Sequence, residues 1–182
     1  RGIVVMGGFI VGFDNDKKSV FQSQIDFIQE SGIISAMVGL LNAPKRTKLY
    51  QRLKNEGRLS KEISGDNTDF SLNFIPKMKK KDLLAGYKRI ISGIYSPKPY
   101  YERVKSYISR FEPKVRHKTR FSFTLLIAFL RSIFVLGIYD KSRLYFWKLL
   151  IWSLFNKPKA IQPAVVYSVY GYHFRKVFKE VI

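Results

Sequence analysis

Two apolar runs, Ile3–Phe13 (IVVMGGFIVGF) and Ile33–Leu41 (IISAMVGLL), flank a single polar-to-amphipathic stretch. Each run is apolar on both of its alternating faces and rich in β-branched residues, which is the pattern of strands covered on two sides in a parallel sheet. The stretch between them is too long for a hairpin and long enough for a crossover helix. Asp14-Asn15-Asp16 supplies turn and helix-start chemistry. Ser19–Ser31 then carries apolar residues at Val20, Phe21, Ile25, Phe27 and Ile28, and Gly32 is placed to end the helix. Asn42-Ala43-Pro44 ends the second run. Thr47–Asn55 predicts a short helix with Leu49, Tyr50 and Leu53 inward and Gly57 as its stop. Strand, helix, strand, helix in this order defines a parallel sheet or a barrel, but two strands alone complete neither.

Beyond residue 60 the character changes. Residues 60–70 (SKEISGDNTDF...) are polar and turn-rich, and the domain junction is expected there. Leu72–Ile75 predicts a short extended piece before Pro76. Helices are predicted over Lys80–Tyr95, Tyr100–Phe111, Phe121–Ile138, Lys141–Phe155 and about Ala164 to Val181, with Pro97 and Pro99 breaking the chain between the first two. In Lys141–Phe155 the apolar residues Leu144, Trp147, Leu150 and Ile151 fall on one side. The fold class that follows is an α/β remnant of two βα units, then an all-α part. Its expected divisions are 1–60, a linker at 61–78, and a basic helical domain at 79–182.

Charge divides the chain the same way. Residues 1–70 are nearly balanced at a net +2, whereas residues 71–182 carry +18 of the total +20. Such a field attracts polyanions: anionic lipid, an acidic partner domain or nucleic acid. A solvated basic face is the plainer alternative. The basic runs Lys77, Lys79–Lys81 and Arg116, Lys118, Arg120 are its densest parts, with nucleic acid ranked behind an anionic membrane surface as partner. The segment Phe121–Ile138 is near the lower length limit for a membrane span, but Arg131 sits in its middle. A central arginine is costly in lipid, so a buried helix or one lying on a membrane surface is expected instead.

The sequence has no cysteine, which excludes disulfides, zinc-thiolate sites and cysteine-ligated clusters within it. His117 and His173 are its only histidines and lack acidic or thiol neighbours at ligand spacing. No Ser-His-Asp set, carboxylate pair or phosphate-cradling loop is apparent. The first residue is Arg1, and the chain enters an apolar run that is too short and too glycine-rich for a signal peptide. It is expected to be a piece of a longer protein.

Gly8-Phe9-Ile10-Val11-Gly12-Phe13-Asp14 resembles the G-x-I-x-G strand of the radical S-adenosylmethionine (SAM) superfamily. One helix later, Val38–Pro44 with Thr47-Lys48-Leu49-Tyr50 is similar to that superfamily's next strand and exit loop, and Leu53, Asn55, Glu56, Gly57 and Leu59 continue it. Asn73–Met78, Gly86-Tyr87, Ile94–Pro97, Tyr100–Arg103 and Tyr170–Phe174 resemble a subgroup with a cobalamin-binding domain, a radical SAM barrel and a C-terminal helical domain. That subgroup includes methyltransferases acting on lipids.

The resemblance implies a partial TIM-like barrel that uses SAM, a 4Fe-4S cluster and cobalamin in the parent enzyme. It implies cofactor-binding roles for Gly8, Ile10 and Gly12 beside adenine, and for Asp14 and Asn42 at the strand ends. For each the plainer role stays open: a buried strand for the first three, a helix cap for Asp14, a turn for Asn42. The cluster-binding Cys-x-x-x-Cys-x-x-Cys loop is absent, so the chain alone is expected to be inactive and to need the missing barrel strands and cobalamin domain as partners. A split gene product whose other half supplies them is a further possibility. Cytoplasmic location is expected, with the inner membrane face as a peripheral site. Lys45-Arg46 stands where the superfamily has x-Gly. If that glycine serves a turn of positive φ, Arg46 is strained or the turn is reshaped.

Overall fold

The two apolar runs lie side by side as parallel strands, β1 (Met6–Val11) and β2 (Ser35–Leu40), in register from Met6 beside Ser35 to Val11 beside Leu40. The structure is a computed structural model describing residues 4–60, 71–112 and 123–179. Helix α1 (Ser19–Ser31) makes the crossover, and Gly32 ends it in the left-handed conformation at φ 72°. Thr47 caps α2 (Lys48–Asn55), its side chain accepting from the Tyr50 N–H at 3.2 Å. After α2, residues 58–60 and 73–75 run antiparallel: Ser60 N–H donates to the Asn73 carbonyl and Ile75 N–H to that of Arg58.

Helix α3 (Lys80–Tyr95) completes the layer over the sheet. It buries Leu83, Tyr87, Ile90, Ile91 and Ile94, the three-four pattern read from its sequence. Its fit against α1 depends on Gly86, where a Cβ would lie 2.2 Å from the Phe21 ring. Two tyrosines of α3 reach the sheet. The Tyr95 hydroxyl accepts from the Ala36 N–H at 3.2 Å and donates to the Ala36 carbonyl at 2.7 Å, and the Tyr87 hydroxyl donates to the Val38 carbonyl at 3.2 Å. Backbone polarity alternates along a strand, and Leu41 N–H already bonds back to Val11. Ala36 and Val38 therefore face away from β1, so side chains, not a further strand, occupy the outer edge of β2.

The sheet is covered on one face only. Val11, Ala36, Val38 and Leu40 are buried under the helices, while Met6, Gly8, Ile10 and Met37 on the other face are exposed. This differs from the two-sided burial that the apolar runs predict.

Helix α4 spans Pro97–Ser109, not Tyr100–Phe111. Pro97 starts the helix instead of breaking it, because a first-turn residue has no intrahelical use for its N–H. Helix α5 (Phe123–Phe134) widens into one π turn at Val135–Tyr139, followed by α6 (Arg143–Asn156), a 3₁₀ turn at Pro158–Ala160 and α7 (Ile161–Val177). A single apolar cluster runs from Val11 and Phe21 through Ile91 and Tyr100 to Phe146 and Tyr167. At its centre Gly171 of α7 meets the Tyr100 ring, and the Tyr100 hydroxyl donates to the Tyr167 carbonyl at 2.6 Å. On α6 the buried face is Phe146, Leu149 and Ser153, and the stripe holding Leu144, Trp147 and Ile151 points outward. Most of the expected linker 61–78, the basic link 113–118 with His117, Phe121, Ser122 and Val181 lie outside the described residues.

Candidate functional site

The uncovered sheet face and the loops leaving its C-terminal edge form the candidate site, because strand C-termini build the working end of parallel α/β folds. Gly8 and Ile10 stand on that face beside Met37, their register neighbours being Met37 and Gly39. A Cβ on Gly8 would meet nothing within 4 Å, so a flat group has free approach to the backbone there. Ile10 is 48% and Met37 59% exposed, a large apolar exposure for residues in a sheet. Among the described residues the face thus offers dispersion contact and no titratable group.

Gly12 plays another part. It is buried, its φ is +109°, and a Cβ on it would lie 3.2 Å from Leu83. It turns the chain off β1 under α3. The turn is held by Asp16, whose Oδ2 accepts from the N–H groups of Gly12 at 2.8 Å and Phe13 at 3.0 Å. Helix α1 begins after Lys18 with no side-chain cap, so Asp14 does not cap it.

Asp14 is instead clamped by arginines. Arg58 donates from Nη2 to Oδ1 at 2.7 Å and from Nη1 to Oδ2 at 3.1 Å, and Arg52 donates to Oδ2 at 3.0 Å. The bond from Arg58 foremost holds the Asp14 carboxyl below the usual aspartate range, and the same pairing raises Arg58. Arg58 also pairs with Glu56 at 2.7 Å and donates from Nε to the Ile75 carbonyl at 2.9 Å. With both oxygens engaged, Asp14 anchors the 58–60 segment to the end of β1.

Asn42 lies at the end of β2 in a second fastening. Its Oδ1 accepts from the Asn73 N–H at 3.2 Å. Asn73 answers with both ends of its amide, accepting from Ala43 N–H at 2.9 Å and donating to the Ala43 carbonyl at 2.7 Å. The exit loop that follows contains Arg46 at φ 71°, the one non-glycine with positive φ among the described residues. The left-handed turn that the glycine would serve is therefore kept, with its strain, on an arginine.

The structure brings Gly8 and Ile10 together on one face and puts Gly12, Asp14 and Asn42 in the framework around its C-terminal rim. Sequence reasoning missed Asp16, Arg52, Arg58 and Asn73 as the residues that shape this rim. Their partners are distant in sequence, up to 44 residues for Asp14 and Arg58, and no periodicity marks such pairs. His173 is exposed on α7. No group of three or more His, Cys, Asp or Glu residues able to hold a metal occurs among the described residues.

The fold and rim define an α/β edge with an uncovered apolar face, backed by a helical domain. The family described as Domain of unknown function (DUF4070) matches residues 47–182, and the chain belongs to it. Along its whole length the chain is 27% identical to a protein named an uncharacterized methyltransferase in Synechocystis sp., covering 34% of that protein. Over 81% of its length it is 29% identical to the hopanoid C-2 methylase of Rhodopseudomonas palustris, covering 28% of that protein. The chain thus spans about a third of these relatives, as those shares state. No solved structure matches.

Proposed function

We propose that the chain is the closing part of a radical SAM methyltransferase, contributing the last two barrel strands and the helical domain that follows them. The observation that carries this reading is the asymmetry of the sheet. The outer edge of β2 is taken by Tyr95 and Tyr87, while β1 has no strand on its other edge among the described residues and one sheet face is uncovered. Further strands of a barrel can add beside β1 and not beside β2, which supports β2 as the last strand. The names of the two relatives support methyl transfer as the activity of the whole protein.

The residues present fit part of SAM. Gly8, Ile10 and Met37 offer the flat, open apolar surface that an adenine ring stacks on, and SAM would supply the methyl group or the radical. They do not fit the 4Fe-4S cluster, since the chain has no cysteine to ligate it. No residue here is assigned to cobalamin. In this reading the chain's own work is to hold adenine against β1, to keep the rim rigid through Asp14–Arg58 and Asn42–Asn73, and to shield the barrel with α3.

The test joins the chain to the protein encoded immediately upstream of Arg1. The reading expects a Cys-x-x-x-Cys-x-x-Cys loop there, iron after anaerobic reconstitution, and SAM cleavage that Gly8→Val weakens. An upstream sequence without that loop, or stoichiometric cluster assembly on the 182-residue chain alone, overturns it.

A further inference from the structure

Helix α6 has two apolar faces, and the fold uses only one. Phe146 and Leu149 are buried, while Leu144, Trp147, Ile151, Leu154 and Phe155 form a stripe along the opposite side with exposures from 37% to 80%. Spacings of three, four and seven place them on one helix face. Helix α5 carries a matching stripe, Phe123, Ile127, Leu130 and Phe134, each more than half exposed. The π turn joins the two helices: it continues α5, and within it the Gly137 carbonyl accepts from the Trp147 indole of α6 at 3.0 Å, beside exposed Ile138 and Tyr139. An uncovered apolar surface of this extent marks a docking site.

The charges around it say what docks. Residues 123–179 contain nine Lys and Arg against a single acidic residue, Asp140. That one carboxylate is consumed by Arg175 at 2.7 Å, with both side chains about a tenth exposed. Lys141, Arg143 and Lys148 are exposed on α6 or just before it, and Arg131 is exposed on α5. Lys148 stands within the apolar stripe itself. A protein partner disfavours a lysine there, since interface cores are depleted of charge. A lipid surface accepts it, because the ammonium reaches the headgroups while the stem lies on the acyl boundary. Trp147, Tyr139 and Tyr145 are the aromatic types that settle at that boundary. No helix among the described residues is long and apolar enough to cross a membrane.

We propose that the α5–α6 face lies flat on an anionic lipid bilayer, as a monotopic docking surface with its cations at the headgroups. It rests on the helical part and is independent of the methyltransferase reading. The test is flotation of the 182-residue chain with phosphatidylcholine vesicles, with and without about one-third phosphatidylglycerol. Wild-type chain is expected to float with the anionic vesicles and much less with neutral ones, with a blue shift in tryptophan fluorescence. The triple variant Leu144→Glu, Ile151→Glu, Phe155→Glu is expected to lose binding by about tenfold or more, because it removes apolar area and adds like charge to that of the lipid. Its circular dichroism should match wild type, since all three side chains point to solvent. The single variant Phe155→Ser, the most exposed site, checks the same effect with the least perturbation. Absence of flotation overturns the proposal, as does equal binding by the triple variant. So does a vesicle-inert chain whose self-association, or whose RNA binding, the triple variant abolishes.

Discussion

The Tyr95 hydroxyl bonds both polar groups of Ala36, donating to its carbonyl at 2.7 Å and accepting from its N–H at 3.2 Å. A helix side chain thus does at β2 what a neighbouring strand would do. Both residues are buried, so neither backbone group has access to water as a substitute.

Tyr95→Phe removes both bonds and leaves the Ala36 N–H and C=O unpaired in the core. A loss of about 1–3 kcal/mol is expected in urea unfolding at neutral pH. Burial pushes the Tyr95 hydroxyl up to about 12 from an ordinary 10.0. A group raised in the folded state contributes stability in full below its unfolded pKa and loses it as pH rises toward the folded one. The gap between wild type and variant should therefore hold up to about pH 10 and narrow above it. No gap at neutral pH would show that the hydroxyl's bonds to Ala36 contribute nothing, and a gap that stays constant to pH 12 would show that the fold does not raise the hydroxyl.

Asp14→Asn tests the rim clamp. The substitution keeps the shape and removes the charge that Arg58 and Arg52 bind, so about 1 kcal/mol should be lost at pH 7. The sign is opposite to that of Tyr95. Asp14 is lowered in the folded state from 3.8, so its contribution is present above the unfolded value and disappears as pH falls through the folded one. Unfolding midpoints of the two proteins should converge as pH falls below 3.8 and through the lowered folded value. Equal midpoints at pH 7 would sink the clamp.

Arg46→Gly relieves a left-handed residue. A side chain at φ 71° costs about 1–2 kcal/mol relative to glycine, partly offset by the greater freedom of glycine in the unfolded chain. A net gain of about 0.5 kcal/mol in thermal or urea stability is expected. Destabilisation would mean that the arginine side chain makes a contact worth more than the strain.

Gly86→Ala places a methyl 2.2 Å from the Phe21 ring at the contact of α1 with α3. Overpacking of this kind costs about 1–3 kcal/mol. Pairing it with Phe21→Leu should recover part of the loss, as a double-mutant cycle would show. Additive losses would place the strain elsewhere.

How much of this was legible in the sequence depends on the range of the interaction. Helices α1 and α3 occupy the residues their periodicity predicts, Ser19–Ser31 and Lys80–Tyr95. Each has one apolar face and therefore one solution. The Gly32 stop is likewise local, set by the residue and its neighbours, whereas Thr47, the first residue of the helix as read from its sequence, is its cap, and the sequence leaves open whether Arg46 keeps a left-handed turn. At the candidate site Gly8 and Ile10 share a face because strand residues alternate, but nothing local told Gly12 from them.

Sequence by itself determined the βαβα order, the chain's helical second part and the segregation of positive charge, because propensity, period and composition act over a turn or two of chain. Tertiary structure decided which faces stay uncovered and which distant groups meet. Helix α6 is apolar on both sides, so its pattern was satisfied equally by burying Leu144 and Ile151 or Phe146 and Leu149. Packing against α4 and α7 chose the second pair. The sequence leaves Asp14 a cofactor contact or a helix cap, and the fold instead brings Arg58 to within 2.7 Å from 44 residues away. The closing of β2 by Tyr95 is of the same kind. Alternation says that a strand edge must bond something, and only the folded chain says that a tyrosine on α3 is what it bonds.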